Sequence, residues 1–556
     1  MADVEKLLEL YREMQRSKDK VTSHLADIAA VMRPERGGFA GQDVPDGNRL
    51  YDEIFDSTPQ EAARGLANAL GAMMRPDGQK WFYIRADEPE LNDDDDARMW
   101  FDEVEARMMK RAFSNPKSRF RQMAAEADRD VVIFNTAAMF IGEKPDRSGM
   151  LYQTQPLRDI FFMTDENNVP NAVIRRYMLN CRQAYGLFGG KVGKAVREAE
   201  ERANRDVKIE HIHVVIPRNE RKVGPLNTNM PFTSIWIEVS QKELLVESGF
   251  LEFPFVITRF ETNPGEDWGR GPGMMALPHA NMLQAMDETI IISGQKRVEP
   301  PLLVPDDGTF NAANTFPGGI SYYDSELARE MGRIPIEALD TKGDIAVGLE
   351  MQQDRRQQVM RVFYRHVLNL PIDGPEMTAT EVIARDKEFL RELSGLFGSL
   401  ESDYIAPIVE RTFNVMLRNN AFPDIPEVLL GQNVNFEYES PVKRVRQQIE
   451  AAAARMWKDD LMTIAAAGRT DVLDVLNVDA YAEFQAMAQG VPLKVMNNVR
   501  TVEAIRAQRA EQQQQMMAMQ MAEMVAGAGA DAGKAVKSVA DAAKPAPKPA
   551  AKSKAA

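Results

Sequence analysis

The stretch that decides the fold reads IAVGLEMQQDRRQQVMRVFYRH at residues 345–366, VLNLPIDGPEM at 367–377 and TEVIARDKEFLRELSGLFGSLESDYIAPIVERTFNVMLRNN at 380–420. In the last segment, apolar residues recur every three or four positions, which is the spacing of one face of a helix. That stripe consists of Phe389, Leu393, Leu396, Phe397 and Leu400. The pattern predicts two helices joined by a short loop.

The loop between these helices carries its own stiffness. Pro371 and Pro375 lack a backbone N–H and push the residues before them out of the α region, whereas Gly374 permits angles that other residues resist. A capping box at 378–381 then restarts the helix, and Pro407 is expected to kink it rather than end it. Taken alone, these residues also fit an ordinary helical hairpin in a protein core.

Length and composition set the class. The 556 residues exceed what one hydrophobic core supports and predict three or four domains. The apolar share of 44% and the charged share of 27% are typical of a soluble globular protein. No uncharged apolar run approaches the roughly 18 residues that span a bilayer, and the start MADVEKLLEL does not read as a signal peptide.

Charge and sulfur content narrow the class further. A net charge of −15 argues against a protein that grips nucleic acid by its phosphates, so any DNA it meets should be repelled or loosely guided. A single cysteine, Cys181, excludes an intrachain disulfide and fits a reducing compartment. The 32 methionines suit adaptable contacts between copies of the chain, although a methionine-rich proteome explains them equally well.

The region before the decisive stretch reads as mixed helix and strand. Residues 2–36 predict an amphipathic helix pair, residues 58–61 open another helix with a capping box and a proline, and 81–84 resembles a strand. The four acids at 93–96 precede a helix, so we interpret them as its first turn rather than as a metal site. Residues 121–138 predict a further helix.

Alternating apolar residues at 207–218 and 233–258 predict antiparallel strands. His211 and His213 share one strand face, and without a third ligand we expect them to face solvent rather than bind a metal. The glycine cluster near residue 193 is not a phosphate loop, because Ala195 stands where Ser or Thr would hold magnesium.

The sequence contains no nucleophile elbow, zinc-binding spacing, dinucleotide fingerprint or deaminase signature. It therefore favours a protein that is not an enzyme and has no cofactor, metal or catalytic residues. A nucleic-acid-processing enzyme remains an alternative only if an acidic metal cluster goes unrecognised. A capsid-internal scaffolding or structural protein is the rival from another class, but it should contain fewer strands and turns.

Four phrases in a fixed order resemble one family. They are YDEIFDSTPQEAARGLANALGAMMRPDGQKWF (51–82), PLRDIFFMTDENNVPNAVIRRY (156–177), EFPFVITRFETNPGEDWGRGPGMMALPHANMLQAMDETI (252–290) and MTATEVIARDKEFLRELSGLFGSLESDYIAPIVERTFNVM (377–416). Over residues 1–525 the chain resembles the portal proteins of tailed bacteriophages, specifically the head-to-tail connectors of short-tailed, T7-like phages.

The resemblance implies a predominantly helical α+β subunit, with a division that runs along the chain. The implied parts are a mixed α/β wing at 1–270, a first stem helix at 271–298, a clip at 299–344, a second stem helix at 345–366, a tunnel loop at 367–377, a long kinked wing helix with a return strand at 378–440, and a helical crown at 441–525. Composition alone predicts a disordered tail at 526–556, where the chain is reduced to Ala, Gly, Lys and Pro.

The resemblance also implies the partners. Copies form a ring, usually a dodecamer, at one capsid vertex of the virion, and the ring assembles in the bacterial host cytoplasm. Double-stranded DNA passes through it without sequence specificity during packaging and ejection. The clip docks the terminase large subunit and later the tail adaptor protein. Capsid and scaffolding proteins are further partners, and no membrane is involved.

Two groups of residues are the candidate site. The tunnel loop would comprise Leu368, Asn369, Leu370, Pro371, Ile372, Asp373, Gly374 and Pro375. The basic residues that the stem helices would turn toward the channel are Lys296, Arg297, Arg355, Arg356 and Arg361. The alternative for each cation is a salt bridge between subunits or a favourable place near a helix end.

Overall fold

A computed structural model describes residues 3–39, 49–144, 149–218, 229–298, 302–303, 329–330, 337–338, 345–368, 391–392, 395, 397–438, 441–489, 491 and 501–520. The chain forms two compact units, Met1–Arg446 and Gln447–Ala556. The elements confirm the predicted class, predominantly helical with several small antiparallel sheets.

The helices of the first unit are α1 (Val4–Met32), α2 (Thr58–Met74), α3 (Asp95–Met108), α4 (Phe120–Phe134), α5 (Cys181–Phe188), α6 (Lys194–Glu201), α7 (Pro272–Val298), α8 (Ile345–Val362), α9 (Arg365–Leu368) and α10 (Ala406–Arg418). The strands are β1 (Phe82–Ala86), β2 (Thr136–Glu143), β3 (Met150–Gln155), β4 (Ile160–Thr164), β5 (Pro170–Leu179), β6 (Ile209–Pro217), β7 (Phe232–Glu238), β8 (Glu243–Phe250), β9 (Phe255–Arg259), β10 (Leu302–Leu303), β11 (Glu337–Ala338) and β12 (Val434–Tyr438).

The strands form four antiparallel sheets. Five strands follow the order β4-β5-β6-β7-β8, three follow β3-β2-β9, and two pairs are β1-β12 and β10-β11. The β10-β11 pair belongs to the predicted clip at 299–344, most of which lies outside the described residues. The β1-β12 pair joins residues more than 340 positions apart, from Phe82 to Tyr438.

The largest core lies where α2, α4 and α10 meet the three-stranded sheet. Aromatic rings fill its centre, with Phe120 packing edge-on against Phe113 at 4.8 Å and against Tyr152 at 4.9 Å. Each fully buried ring of this size contributes about 1.5–3 kcal/mol to stability. This core fixes the ends of the long helices on which the candidate site stands.

The five-stranded sheet is covered on both faces, which corrects the expectation for the two strand histidines. The first half of α1 packs on one face, and α5 and α6 pack on the other. His211 is fully buried, and His213 is only 4% exposed and stacks on Trp236 at 4.4 Å. The expectation of solvent-facing histidines is therefore wrong. No group of three potential metal ligands occurs within the part of the chain that the structure describes.

Burial makes His213 a source of acid sensitivity. Desolvation, followed by the nearby charge of Arg175, lowers the pKa of His213 to about 3. The folded state therefore stays neutral while the unfolded chain takes up a proton below pH 6.5, so stability falls as the pH falls from 6.5 toward 3. We expect a loss of about 2–3 kcal/mol from this group at pH 4.5.

The measurement is the urea midpoint at pH 7.5 and at pH 4.5, followed by tryptophan fluorescence. His213→Gln should lower the midpoint at neutral pH and reduce its change with pH. His24→Gln, at a half-buried histidine on α1, is the matched control and should keep the wild-type change. An unaltered pH dependence in His213→Gln would contradict the assignment.

The N-terminal region is one helix and not the expected pair. Helix α1 continues through the middle of this region, where Lys18 lies on its buried face. The Lys18 ammonium is buried and donates to the carbonyls of Leu157 at 2.6 Å, Arg158 at 2.7 Å and Ile160 at 3.0 Å. Burial lowers the pKa of Lys18 to about 7, while the three carbonyls and the Phe161 ring 4.3 Å away favour the charged form.

The helix predicted at 121–138 is shorter than expected. It ends at Phe134, because Asn135 adopts a left-handed conformation with φ of 58° and β2 begins at Thr136. Gly269, Gly271 and Gly273 approach this turn so closely that an added Cβ on any of them would overlap residues of the turn or of the neighbouring β9. This contact positions the start of α7.

Local capping follows the sequence elsewhere. The Asp94 side chain accepts from the N–H groups of Asp96 and Ala97, as predicted for the acids before α3. At α6, the carboxylates of Glu238 and Glu243 occupy the helix start that a phosphate would need. The helix through Pro407 continues over a π-helical turn, Glu401–Ile405, which absorbs the missing N–H.

The second unit is helical in its described part. It contains most of α11 (Pro441–Ala466), a 3-10 segment (Thr470–Val475), α12 (Val478–Ala488) and α13 (residues 501–520). Arg506 bonds both oxygens of Asp479 at 2.6 Å, which joins α13 to α12. Gln485 donates to the Ala451 carbonyl at 2.7 Å, which joins α12 to α11. The predicted helices are present, and their role as a crown stays a prediction.

Candidate functional site at the paired helices

Helices α7 and α8 lie side by side and run in opposite directions. Ile290 of α7 lies beside Gly348 of α8, whereas Asp287, earlier in α7, lies 4.0 Å from Arg356, later in α8. As the residue number falls along one helix it rises along the other, which makes the pair antiparallel. The predicted helices at 271–298 and 345–366 are therefore present as neighbours.

Only one end of this hairpin is rooted in the core. The first half of α7 buries Ala276, Ala280 and Leu283, and the last half of α8 buries Val359. Beyond these positions the outer halves carry mostly exposed residues. The hairpin therefore projects from the core, with the end of α7 and the start of α8 at its outer end.

The second helix ends earlier than predicted, which corrects the boundary at residue 366. It stops at Val362, Phe363 is buried, and Tyr364 adopts φ of 55° before the short α9 begins. No glycine or proline marks this break in the sequence. Tertiary packing imposes it, because Phe363 enters the core and Arg365 lies against Gly65 of α2.

A stripe of exposed residues follows the outer face of α7. Its members alternate three and four residues apart: Met275, Pro278, Met282, Ala285, Thr289 and Ile292. Met282 is 46% exposed and Ile292 is 41% exposed, which is unusual for large apolar side chains in so regular an array. The 3-4 spacing is that of a helix seam that packs on another helix. We call this set the α7 stripe.

A polar junction ties both helices to the segment before α2. The Gln284 side-chain oxygen accepts from the backbone N–H groups of Phe55 at 2.7 Å and Asp56 at 3.1 Å, and its nitrogen donates to the Asp56 carbonyl at 2.8 Å. The Arg356 guanidinium donates to the Asp56 carboxylate at 2.7 Å. One short segment thus holds α7 through Gln284 and α8 through Arg356.

The two acids of this junction differ in the direction of their pKa shifts. Partial burial acts to raise the pKa of Asp56, but hydrogen bonds from Thr58 and Arg356 outweigh it, so the pKa lies below its usual value. Burial and the neighbouring charge of Asp56 raise the pKa of Asp287. Asp56 therefore keeps its negative charge, and Asp287 is the first to accept a proton as the pH falls.

The five candidate cations do not form one cluster. Lys296 and Arg297 are exposed at the end of α7, and Arg361 is exposed on α8. Arg355 lies 3.1 Å from its neighbour Asp354, and Arg356 belongs to the junction with Asp56. Arg356 thus pairs within its own chain, which is neither of the roles predicted for it.

Of the predicted tunnel loop at 367–377, Val367 and Leu368 are described, and both belong to α9 rather than to a loop. The predicted residues 369–375 lie outside the described residues, as does the capping box at 378–381. In the following helix, the predicted stripe residues Phe397 and Leu400 are buried in the main core.

The junction supports a prediction about Arg356. Replacing it with alanine leaves the Asp56 carboxylate, whose side chain is only 2% exposed, with hydrogen bonds from Thr58 alone. We expect a destabilisation of about 1–2 kcal/mol, reduced from the value for a fully buried pair because Arg356 is 42% exposed. Arg361→Ala removes an exposed arginine from the same helix and should cost less than about 0.5 kcal/mol. Equal losses in urea unfolding would contradict this role for Arg356.

Sequence reasoning missed Gln284 and Asp56. Asp56 lies two residues before the capping box of α2, and this place just before a helix is the only local sign of its importance. Its partners are 228 and 300 residues away, and no periodicity links them. Among the described residues, no helix is both long and apolar enough to cross a bilayer.

Comparisons with known proteins give consistent matches. A family model described as "Bacteriophage head to tail connecting protein" matches residues 4–496. The "Probable portal protein" of Bordetella phage BPP-1 is 26% identical over 511 residues, which cover 91% of this chain and 90% of the relative. The "Portal protein" of Salmonella phage epsilon15 is 25% identical over 520 residues, 92% of each.

A solved structure also matches. The "Neck of empty GTA particle computed with C6 symmetry" aligns with 74% of this chain and 91% of its own, at 9% identity and a TM-score of 0.34.

Proposed function

This chain belongs to the family of bacteriophage head-to-tail connecting proteins, and from that premise we propose that its copies close into a portal ring at one vertex of the capsid. The ring is the conduit for double-stranded DNA during packaging and ejection. Its role is structural, and a dodecamer is the assembly that the family resemblance implies.

The observation that supports the ring is the α7 stripe. A single chain leaves the large apolar side chains of this stripe, Met275, Met282 and Ile292, exposed to water along α7, as it does Val347, Leu349 and Met351 of α8. A second copy that packs on the stripe removes them from water, with a gain of about 25 cal/mol per Å² of apolar surface. In the proposed ring, the α7 stripe of each copy meets a different surface of the next copy, which is the heterologous contact that a closed ring repeats.

The charge of the chain suits a conduit. A ring multiplies the net charge of −15 per copy, so phosphates sliding past it meet few strong contacts. Lys296 and Arg361 are exposed on the hairpin, and no carboxylate of the described residues pairs with either. We propose these two, rather than Arg356, as the cations that face DNA. The terminase large subunit and the tail adaptor protein would dock at the clip, residues 299–344.

Imaging tests the ring. Purified protein should sediment as one large closed species, and negative-stain images should show rings with a central hole. A monomer that persists across micromolar concentrations would overturn the proposal. A rod or an open filament would favour the scaffolding alternative, since only a closed ring provides a channel.

A deletion tests the conduit separately. Removing residues 370–375 should leave the rings intact, because the described helices on either side have their own buried contacts. Particles assembled with this protein should contain less DNA than wild-type particles. Normal filling and retention of DNA would show that the segment is only a connector between helices.

A further inference from the structure

An open cavity of about 420 Å³ lies beside the far end of α3. Its floor is aromatic, formed by the buried rings of Trp81, Phe113 and Phe120. The polar groups within it are mostly satisfied inside the chain, since Arg75 pairs with Asp128 and Tyr404 donates to the same carboxylate at 3.0 Å. The cavity therefore offers an apolar recess to a side chain from outside.

Exposed cations lie on the segment 110–121, whose Phe113, Ser114, Phe120 and Arg121 line this cavity. They are Lys110, Arg111, Lys117, Arg119 and Arg121. Arg121 pairs with the exposed Asp77 at 3.0 Å, and within the described residues no carboxylate pairs with the other four. Five cations within twelve residues stand out in a chain of net charge −15. Lys110 and Arg111 gain from the end of the α3 helix dipole, but the remaining three have no such local reason.

The loop at residues 424–430, which reads DIPEVLL, is acidic where the segment beside the cavity is basic. It exposes the acids Asp424 and Glu427 together with the apolar side chains of Ile425, Val428 and Leu430. Leu430 is the most exposed of the three, at 63%. The loop thus combines the charge that the cations attract with the apolar side chains that the cavity accepts.

The loop and the cavity lie at opposite ends of α3. The Arg111 side chain, at the cavity end, donates to the Ala421 carbonyl, and the Trp100 indole donates to the Pro423 carbonyl at 3.2 Å. The chain therefore runs back along α3 toward its start. The helix and its π-helical extension to Phe113 span about 27 Å. Within one copy the loop and the cavity therefore lie apart, toward the two ends of this helix.

We propose that the loop at 424–430 of one copy docks in the cavity and against the cationic segment 110–121 of the next copy. This inference rests on the proposed ring. Asp424 and Glu427 lie against the cations, and Leu430 enters the aromatic recess. The contact joins two different surfaces, so each copy uses its loop on one side and its cavity on the other, as ring closure requires. It adds a second interface, separate from the α7 stripe.

Three variants of the full-length protein test the contact: one reverses charges beside the cavity, one reverses charges on the loop, and one combines both sets. Lys110→Glu with Lys117→Glu should raise the concentration of half-assembly about tenfold or more, measured by sedimentation velocity. Asp424→Lys with Glu427→Lys should do the same. The four changes together should restore assembly to within about threefold of wild type, because the charges match again. Lys20→Glu with Lys191→Glu, at exposed sites outside the contact, is the control for added charge and should assemble normally.

Leu430→Asp tests the contact of the loop with the aromatic recess and leaves the cations unchanged. Because Leu430 is highly exposed in the single chain, the substitution should not affect folding. It should also weaken assembly. If the wild-type protein forms no ring, the proposed function itself fails. If the wild type forms rings and the reversed variants and Leu430→Asp assemble as the control does, the ring stands and the docking contact is wrong. Weakening without restoration in the combined variant would equally overturn the pairing of these two surfaces.

Discussion

Replacing Met282 and Ile292 with lysine is expected to leave the protein as folded single subunits. Both side chains lie on the α7 stripe and are exposed in the single chain, so the subunit loses little by the change. An interface that buries them loses about 1.5–3 kcal/mol for each apolar side chain and must also desolvate two ammonium groups. The association constant at each contact should fall by two to four orders of magnitude or more.

Sedimentation velocity measures this loss, with circular dichroism as the check on folding. The matched control is lysine at Val169 and Leu251, which adds the same charge at apolar sites of similar exposure away from the hairpin. The control should form wild-type rings. Rings of wild-type mass in the Met282/Ile292 variant would show that the α7 stripe faces the channel or the solvent, and a different surface would then have to join the copies.

The sequence predicts the hairpin well because its signals are local. Pro272 starts α7, and the helical segments at 271–298 and 345–366 appear with errors of at most four residues. The family could also be recognised from the order of phrases along the chain, and the comparisons confirm it. Local sequence patterns do not show which distant residues each helix face contacts. The pairing of Arg356 with Asp56 across 300 residues gives a predicted channel residue a partner within its own chain, which no local pattern indicated.

The errors in the first unit have the same origin. Lys18 is a cation in the middle of the predicted helix pair, but distant carbonyls accept its hydrogen bonds and α1 continues through it. His213 belongs to an alternating strand, and alternation gives the side of a sheet without telling whether that side is covered. Here α5 and α6 cover it. For the residues after Leu368, the role as a tunnel loop stays a prediction.

Gly273→Ala is expected to prevent the first unit from folding. The added methyl group would overlap the carbonyl oxygen of Ile133, which is backbone at the end of α4 and cannot rotate away. The Gly273 N–H also donates to the Asn135 side chain at 3.2 Å, so the helix cannot shift without breaking this bond. We expect a destabilisation above about 4 kcal/mol, seen as insoluble protein or a strongly lowered thermal midpoint.

Gly186→Ala provides the matched control, because this glycine lies in α5 and has open space where the methyl group would go. Alanine is the better helix former by about 0.8–1 kcal/mol, so this variant should be as stable as wild type or slightly more stable. The spacing of Gly269, Gly271 and Gly273 is visible in the sequence, but its reason is a turn more than 130 residues earlier. If Gly273→Ala folds as well as Gly186→Ala, the α4 turn does not set the start of α7, and the direction of the projecting hairpin must be fixed by the Gln284 and Arg356 junction alone.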